Sequence, residues 1–520
     1  MDVTISVPAE MNVCDTLLDD NARQGRGDKV AVICGQRQAT YRQLTELSAR
    51  VASGLQALGL EPEQRVLLVL PDSIEFVAAY CGVMRLGAIA VPVNTLLKPQ
   101  DYEYLLLDSR ARALVVHADY LPNVPSTSPW LRHVIVVGGL AAAGPPAAPP
   151  AAAGHMAFDD LTASGNPAYP ALMLSPDDAA FWLYSSGTTG FPKAVVHLQQ
   201  DVLFSRQYGL GVLQAAEDCR MLSSSKLFFA YALGCALHIP FLAGGSTVLH
   251  SGRATPQAMA GLAAEHAPSF FFSVPTFYAA SLHAGVPGEA YAAVRFCVSA
   301  GEALPPHIYQ AWLDRSGKEI VEHIGSTEHI YAFISNRPGQ VRPGSAGTPV
   351  PGIEARLVDE AWRDVAADQP GELWINSGSN GLGYWNKRQQ TKATFHGEWL
   401  RTGDMMVRDA DGCYWYQGRV NDMLKVGGIW VSPIEVEQAL LEHAAVADAA
   451  VVGAPDQDGL IKPRAYVVCA TGVSVEELQS FVKDRLAPYK YPRWIDFVDE
   501  LPRTATGKVQ RYQLRKDSPA

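Results

Sequence analysis

Short apolar runs separated by longer amphipathic stretches set the tightest limit on how this chain can fold. Residues 65–70, 113–116 and 133–137 read as buried strands, and 73–86, between the first two, is apolar at roughly helical spacing. Residues 247–249, 269–274 and 294–298 repeat the theme. Strand and helix in alternation predict an α/β fold with parallel-rich sheets covered on both faces. At 520 residues the chain is too long for one core and should divide into at least two domains. The Ala-, Pro- and Gly-rich stretch 141–154 is expected to be an exposed loop, because strand-like sequence of the same character resumes on both sides. A sharper boundary lies near 417–422. Beyond it, 433–441 reads as a helix, 449–453 and 464–469 as strands, and Ser474-Val475-Glu476-Glu477 as a capping box opening a helix that stops before Pro488. The expectation is a large N-terminal domain of stacked parallel-rich sheets with helices (1–420) and a small α+β C-terminal domain (421–520).

A net charge of −11 argues against general nucleic-acid or anionic-membrane binding, which both need a basic face, though not against a nucleotide in a local pocket. The eight cysteines are scattered with no C-x-x-C pair, which predicts reduced thiols and neither a zinc site nor a disulfide frame. No basic segment followed by an apolar core opens the chain, and no apolar run reaches membrane-spanning length, so the cytoplasm is the expected location.

The densest chemistry lies in Tyr184-Ser185-Ser186-Gly187-Thr188-Thr189-Gly190-Phe191-Pro192-Lys193, directly after the apolar run 179–183. A strand breaking into such a loop offers backbone N–H groups, hydroxyls and one cation to a polyanion. Its glycines let the backbone approach phosphates closely. The frame is not a Walker A loop, and a surface turn has the same composition. Five further segments decide between them: Ser299-Ala300-Gly301-Glu302, Ile324-Gly325-Ser326-Thr327-Glu328, Arg401-Thr402-Gly403-Asp404, Gly418-Arg419 and Pro502-Arg503-Thr504-Ala505-Thr506-Gly507-Lys508.

In this order, the six segments resemble the adenylate-forming superfamily of acyl-CoA synthetases, adenylation domains and luciferases, over essentially the whole chain. Residues 226–234, 323–328, 335–338 and 484–493 are similar to the benzoate–CoA ligase branch. The resemblance implies an ATP-dependent aryl-acid–CoA ligase. Attack of the carboxylate on the α-phosphate of ATP gives an aryl-AMP and pyrophosphate, and the CoA thiol then displaces AMP. Charge building on phosphate oxygens needs preorganised cations and N–H donors.

By the same resemblance, Ser185, Ser186, Gly187, Thr188, Thr189, Gly190 and Lys193 grip the β- and γ-phosphates, and Thr327 touches the α-phosphate. Glu328 binds Mg²⁺, Asp404 and Arg419 take the ribose hydroxyls, and Gly301, Glu302, Glu322, His323 and Ile324 frame the adenine. Lys508, on the small domain, bridges carboxylate and phosphate oxygens during adenylation. That domain is mobile in the family: after adenylation it rotates, and Lys425, Gly427 and Gly428 come in to line a pantetheine tunnel. The hinge position is Asn421, where the family usually has aspartate; asparagine tolerates unusual φ/ψ about as well. The frame around Lys508 also matches a frequent acetylation target, and acetylation removes the charge adenylation needs.

The acyl slot is expected from Phe229, Ala230, Tyr231, Gly301, Ile330, Tyr331 and Ala332. Where benzoate ligases usually read Met/Ala-Leu-His-Ile-Phe after the glutamate, this chain reads His329-Ile330-Tyr331-Ala332-Phe333. Added space at Ala332 and a hydroxyl at Tyr331 predict a ring bearing a small amino or hydroxyl group, with anthranilate and hydroxybenzoates ahead of benzoate. Expected partners are the aryl acid, ATP and CoA, with no nucleic acid and no membrane. A carrier protein or downstream acyltransferase, and a monomer or homodimer, stay open. The main alternative is a stand-alone aryl adenylation enzyme that loads a carrier-protein pantetheine. A luciferase-like oxygenase and a catalytically dead ligand-binding protein on the same fold are further alternatives.

Overall fold

The computed structural model describes residues 3–125, 128–138, 154–185, 191–426, 429–457, 460–503 and 509–516. Two compact units result. One comprises residues 1–341, 349–354 and 376–400; the other comprises 342–348, 355–375 and 401–520.

The first unit is built on two parallel-rich sheets. In one, Arg65–Val69 lies between Ile89–Pro92 and Ala113–His117, and His133–Val137 and Gly154–Ala157 continue the parallel run. Ala179–Ser185 pairs parallel with Ile89–Pro92, and Lys193–Leu198 then returns antiparallel. In the other sheet, Phe296–Ser299 sits between Phe270–Ser273 and Ile320–Gly325, again parallel, and Ala332–Ser335 folds back antiparallel. Gly154, expected in the loop 141–154, opens a strand instead; the loop's other residues lie outside the described ones.

Most of these strands are buried on both faces; Gly154–Ala157, at the sheet edge, is half-buried to exposed. Val66 and Leu68 belong to one core and Leu67 and Val69 to another, which explains a continuous apolar run in place of alternation. Helices Tyr41–Ala57 and Ile74–Arg85 start at Thr40 and Ser73, whose side chains accept from the backbone N–H of Gln43 and Phe76. The two helices approach so closely that a Cβ at Gly82 would lie 2.6 Å from the Cβ of Val51. No helix among the described residues is long and apolar enough to cross a membrane.

The second unit holds residues 401–408, the larger part of strand Trp399–Arg408, in an antiparallel hairpin with Tyr414–Arg419. It also holds an α+β module in which Val446–Pro455, Ile461–Cys469 and Trp494–Phe497 form a sheet packed by helices Pro433–Leu441 and Val475–Lys483. Ser474 caps the latter helix by accepting the Glu477 N–H. All eight cysteines are free thiols; five are buried, and Cys34, Cys413 and Cys469 are half-buried.

Candidate active site

Ser185 and Lys193 face each other across the last register of an antiparallel hairpin, so the Ser/Thr/Gly segment connects two paired strands. Ser186, Gly187, Thr188, Thr189 and Gly190 lie outside the described residues. Among the described residues, the buried Ser185 hydroxyl has no hydrogen-bond partner. Just past the loop, Phe191 stacks on Tyr104 at 4.5 Å and 15°, and the Tyr104 hydroxyl donates to the Pro192 carbonyl at 2.9 Å. The Lys193 ammonium sits 4.0 Å from the centroid of the Tyr384 ring. From that same ring, the Tyr384 hydroxyl donates to Glu328 Oε1 at 2.7 Å. Lys193 and Glu328, far apart in sequence, therefore share one aromatic spacer that no sequence motif pointed to.

Thr327 and Glu328 follow the strand Ile320–Gly325, and Gly325 is obligatory there because a Cβ would meet the Tyr331 carbonyl at 2.4 Å. On that strand Glu322 is buried, and its carboxyl accepts the Leu304 N–H at 2.9 Å. Burial pushes its pKa up to about 8, with that single N–H pulling the other way. His323 is also buried, which lowers its pKa to about 3, and its neutral ring meets the Tyr208 hydroxyl at 2.7 Å. Ile324 is half-buried and Gly301 exposed, the latter at φ +91 where a side chain would strain the backbone. Glu302 is half-buried beside it. The buried hydroxyls of Ser299 and Ser326 likewise have no partner among the described residues. Together with Ser185, three unsatisfied donors thus sit in the segments expected to meet ATP, which is where a ligand would complete them.

The expected acyl wall begins at Phe229 and is preceded by Lys226, whose ammonium donates to the Gly252 carbonyl at 2.7 Å, while the buried Asp72 accepts the Leu227 N–H at 2.9 Å. This anchors Phe229, Ala230 and Tyr231, all half-buried. The Tyr231 hydroxyl lies 3.1 Å from the Ser273 carbonyl and 3.2 Å from that of Val298, and its ring meets His323 edge-on at 5.5 Å. Ile330, Tyr331 and Ala332 are buried. The Tyr331 hydroxyl, expected to meet a ring substituent, contacts His238 Nδ1 at 2.7 Å, and His238 Nε2 contacts the Tyr80 hydroxyl at 3.1 Å. Burial lowers the His238 pKa to about 3, so this three-residue chain is neutral. The hydroxyl is thus already engaged in the core.

In the second unit, Asp404 and Arg419 pair across the hairpin at 3.1 Å, and Arg419 also donates to the Thr402 carbonyl at 2.8 Å. Lys425 is exposed beside Glu360 at 3.2 Å, and Asn421 is exposed. Gly427, Gly428 and Lys508 lie outside the described residues. Among the described residues no three His, Cys, Asp or Glu side chains cluster as a protein-only metal cage.

Residues 18–385 match the family described as AMP-binding enzyme, and 435–508 match the AMP-binding enzyme C-terminal domain. The chain is 43% identical to the benzoate–CoA ligase of Thauera aromatica, over 98% of this chain and 97% of that protein. A crystal structure of the anthranilate CoA ligase AuaEII in complex with anthranoyl-AMP superposes with a TM-score of 0.91 at 40% identity, covering 98% of both chains. A benzoate CoA ligase from Burkholderia xenovorans LB400 superposes with a TM-score of 0.87 at 42% identity, over 97% of this chain and all of that one.

Proposed function

The chain belongs to the AMP-binding enzyme family, and from that premise we propose that it is an aryl-acid–CoA ligase. It joins benzoate or a small amino- or hydroxybenzoate to CoA through an aryl-AMP, with release of AMP and pyrophosphate. The observation that carries this reading is 43% identity across 98% of the chain to a benzoate–CoA ligase. The convergence of Lys193, Tyr384 and Glu328 on one spot supports it.

In this reading the hairpin of Ser185 and Lys193 grips the leaving pyrophosphate and Thr327 meets the α-phosphate. The acid lies along Phe229–Tyr231 and Ile330–Ala332. Glu328 suits Mg²⁺: the ion is hard, keeps several waters, and needs only one or two protein carboxylates when phosphates supply the rest. Bound there, it would neutralise charge on the phosphates. Tyr384 orients the carboxylate for that task by donating to Oε1. Asp404 and Arg419 take the ribose, and Lys508 meets the reacting oxygens. Residues 421–520 then turn about Asn421 so that Lys425 and its neighbouring glycines line the thiol path.

Since the Tyr331 hydroxyl contacts His238 and the Tyr231 hydroxyl lies against the carbonyls of Ser273 and Val298, the ring substituent is discriminated by the small side chain of Ala332 rather than by either hydroxyl. Amino- and hydroxybenzoates are proposed ahead of benzoate. A second reading, transfer of the aryl group to a carrier-protein pantetheine, starts from the same aryl-AMP; a relative named p-hydroxybenzoic acid–AMP ligase, from Mycobacterium tuberculosis, is 32% identical, and the chain covers 69% of it. Competition between CoA and a holo carrier protein for preformed aryl-AMP separates the two. The proposal expects CoA to win, and carrier-only transfer would replace it.

A further inference from the structure

Three consecutive carbonyls, those of Thr327, Glu328 and His329, are each taken by a donor from elsewhere in the first unit. His197 Nε2 lies 2.9 Å from the Thr327 oxygen, the Gly381 N–H donates to Glu328 at 2.9 Å, and the Ser379 hydroxyl donates to His329 at 2.9 Å. The next residue, Ile330, has φ +67. A β-branched side chain rarely adopts that left-handed conformation, which persists only where the surroundings over-determine it. The Ile330 N–H closes the turn on the Ser326 carbonyl at 2.8 Å.

We infer that His197, Ser379 and Gly381 form a carbonyl clamp that holds this strained turn and thereby aims Thr327 and Glu328. The three are positioning residues, and the inference rests on the assignment of Thr327 and Glu328 proposed above. Each donor is itself fixed. A carbonyl can only accept, so His197 Nε2 carries a hydrogen. A second hydrogen must lie between Nδ1 and Asp201 Oδ2, 2.9 Å apart, and that oxygen also takes the Leu198 N–H at 3.1 Å. His197 and Asp201 are both 0% exposed, and the His197 ring stacks on Phe181 at 4.9 Å. Ser379 is 0% exposed. At Gly381 a Cβ would approach the Val196 carbonyl to 2.9 Å, so only glycine lets its N–H come so near. Two separate elements, Lys193–Leu198 and the stretch 377–381, thus converge on one turn.

The test uses the full chain with His197→Ala, His197→Gln and Ser379→Ala. Two readouts are followed: aryl-acid-dependent pyrophosphate release with benzoate, and hydrogen exchange of the ligand-free protein. The clamp predicts that exchange rises in a peptide spanning 326–333 but not in Arg65–Val69. It also predicts that kcat falls about tenfold or more while KM for benzoate stays within about twofold, since small misplacement costs rate more than binding. His197→Gln, which keeps an N–H within reach, should recover a large part of both. Unchanged exchange at 326–333, exchange rising everywhere, or Gln behaving like Ala would overturn the inference. If the wild type itself releases no acid-dependent pyrophosphate, the proposed function fails, and the exchange data still judge the clamp.

Discussion

Glu322 is nearly dehydrated, and one backbone N–H opposes the cost of charging it. With its folded pKa near 8, above the ordinary carboxylate value, the folded state binds this proton more tightly than the unfolded state does. Its stabilising effect is therefore complete below the ordinary carboxylate pKa and is lost as pH rises towards 8. Glu322→Gln keeps the acceptor for Leu304 but cannot ionise. Its melting temperature relative to wild type should climb by a few degrees between about pH 5 and about pH 8; a constant difference would show that Glu322 is not the titrating group. Tyr384 offers a second test at this scale. Tyr384→Phe retains the ring under Lys193 but removes the donor to Glu328. Losing a hydrogen bond to a charged group should lower kcat/KM for pyrophosphate release about tenfold. An unaltered rate would mean that the hydroxyl does not orient the carboxylate.

The short segment Ala230–Leu233, continuing through Gly234, packs against the turn that follows Glu328. A Cβ at Gly234 would meet the Tyr331 ring at 2.9 Å. Gly234→Ala should therefore cost about 1–3 kcal/mol in denaturant unfolding and raise KM for the aryl acid while leaving that for ATP alone. Equal rises in both would move Gly234 out of the acid wall. Much at this scale was legible beforehand. Apolar runs marked strands 65–69, 113–117 and 133–137, apolar spacing marked the helix after Ser73, and Ser474 marked a helix start, because burial and capping act within a few residues. The turn at Ile330 was not legible. Nothing in His329-Ile330-Tyr331 announces a positive φ, and that φ precedes the residue whose hydroxyl reaches His238. His197, Ser379 and Gly381 were missed for a related reason: their role lies in backbone carbonyls, which leave no residue type to recognise.

Across the whole molecule, a unit that holds most of the AMP-binding enzyme match and a second unit carrying Asp404 and Arg419 make up one chain. The proposal gives the second unit two tasks, in sequence, about Asn421. Proline at that position fixes φ near −65° and removes an N–H, so Asn421→Pro should spare pyrophosphate release and abolish thioester formation. Survival of both would place the hinge elsewhere. Acid-dependent pyrophosphate release by the purified chain, run over substituted benzoates with and without CoA, tests aryl-acid activation most directly. The prediction is release only when an aryl acid is present, amino- and hydroxybenzoates turned over ahead of benzoate, and sustained turnover to aryl-CoA and AMP once CoA is added. No acid-dependent pyrophosphate from any member of the panel would contradict it.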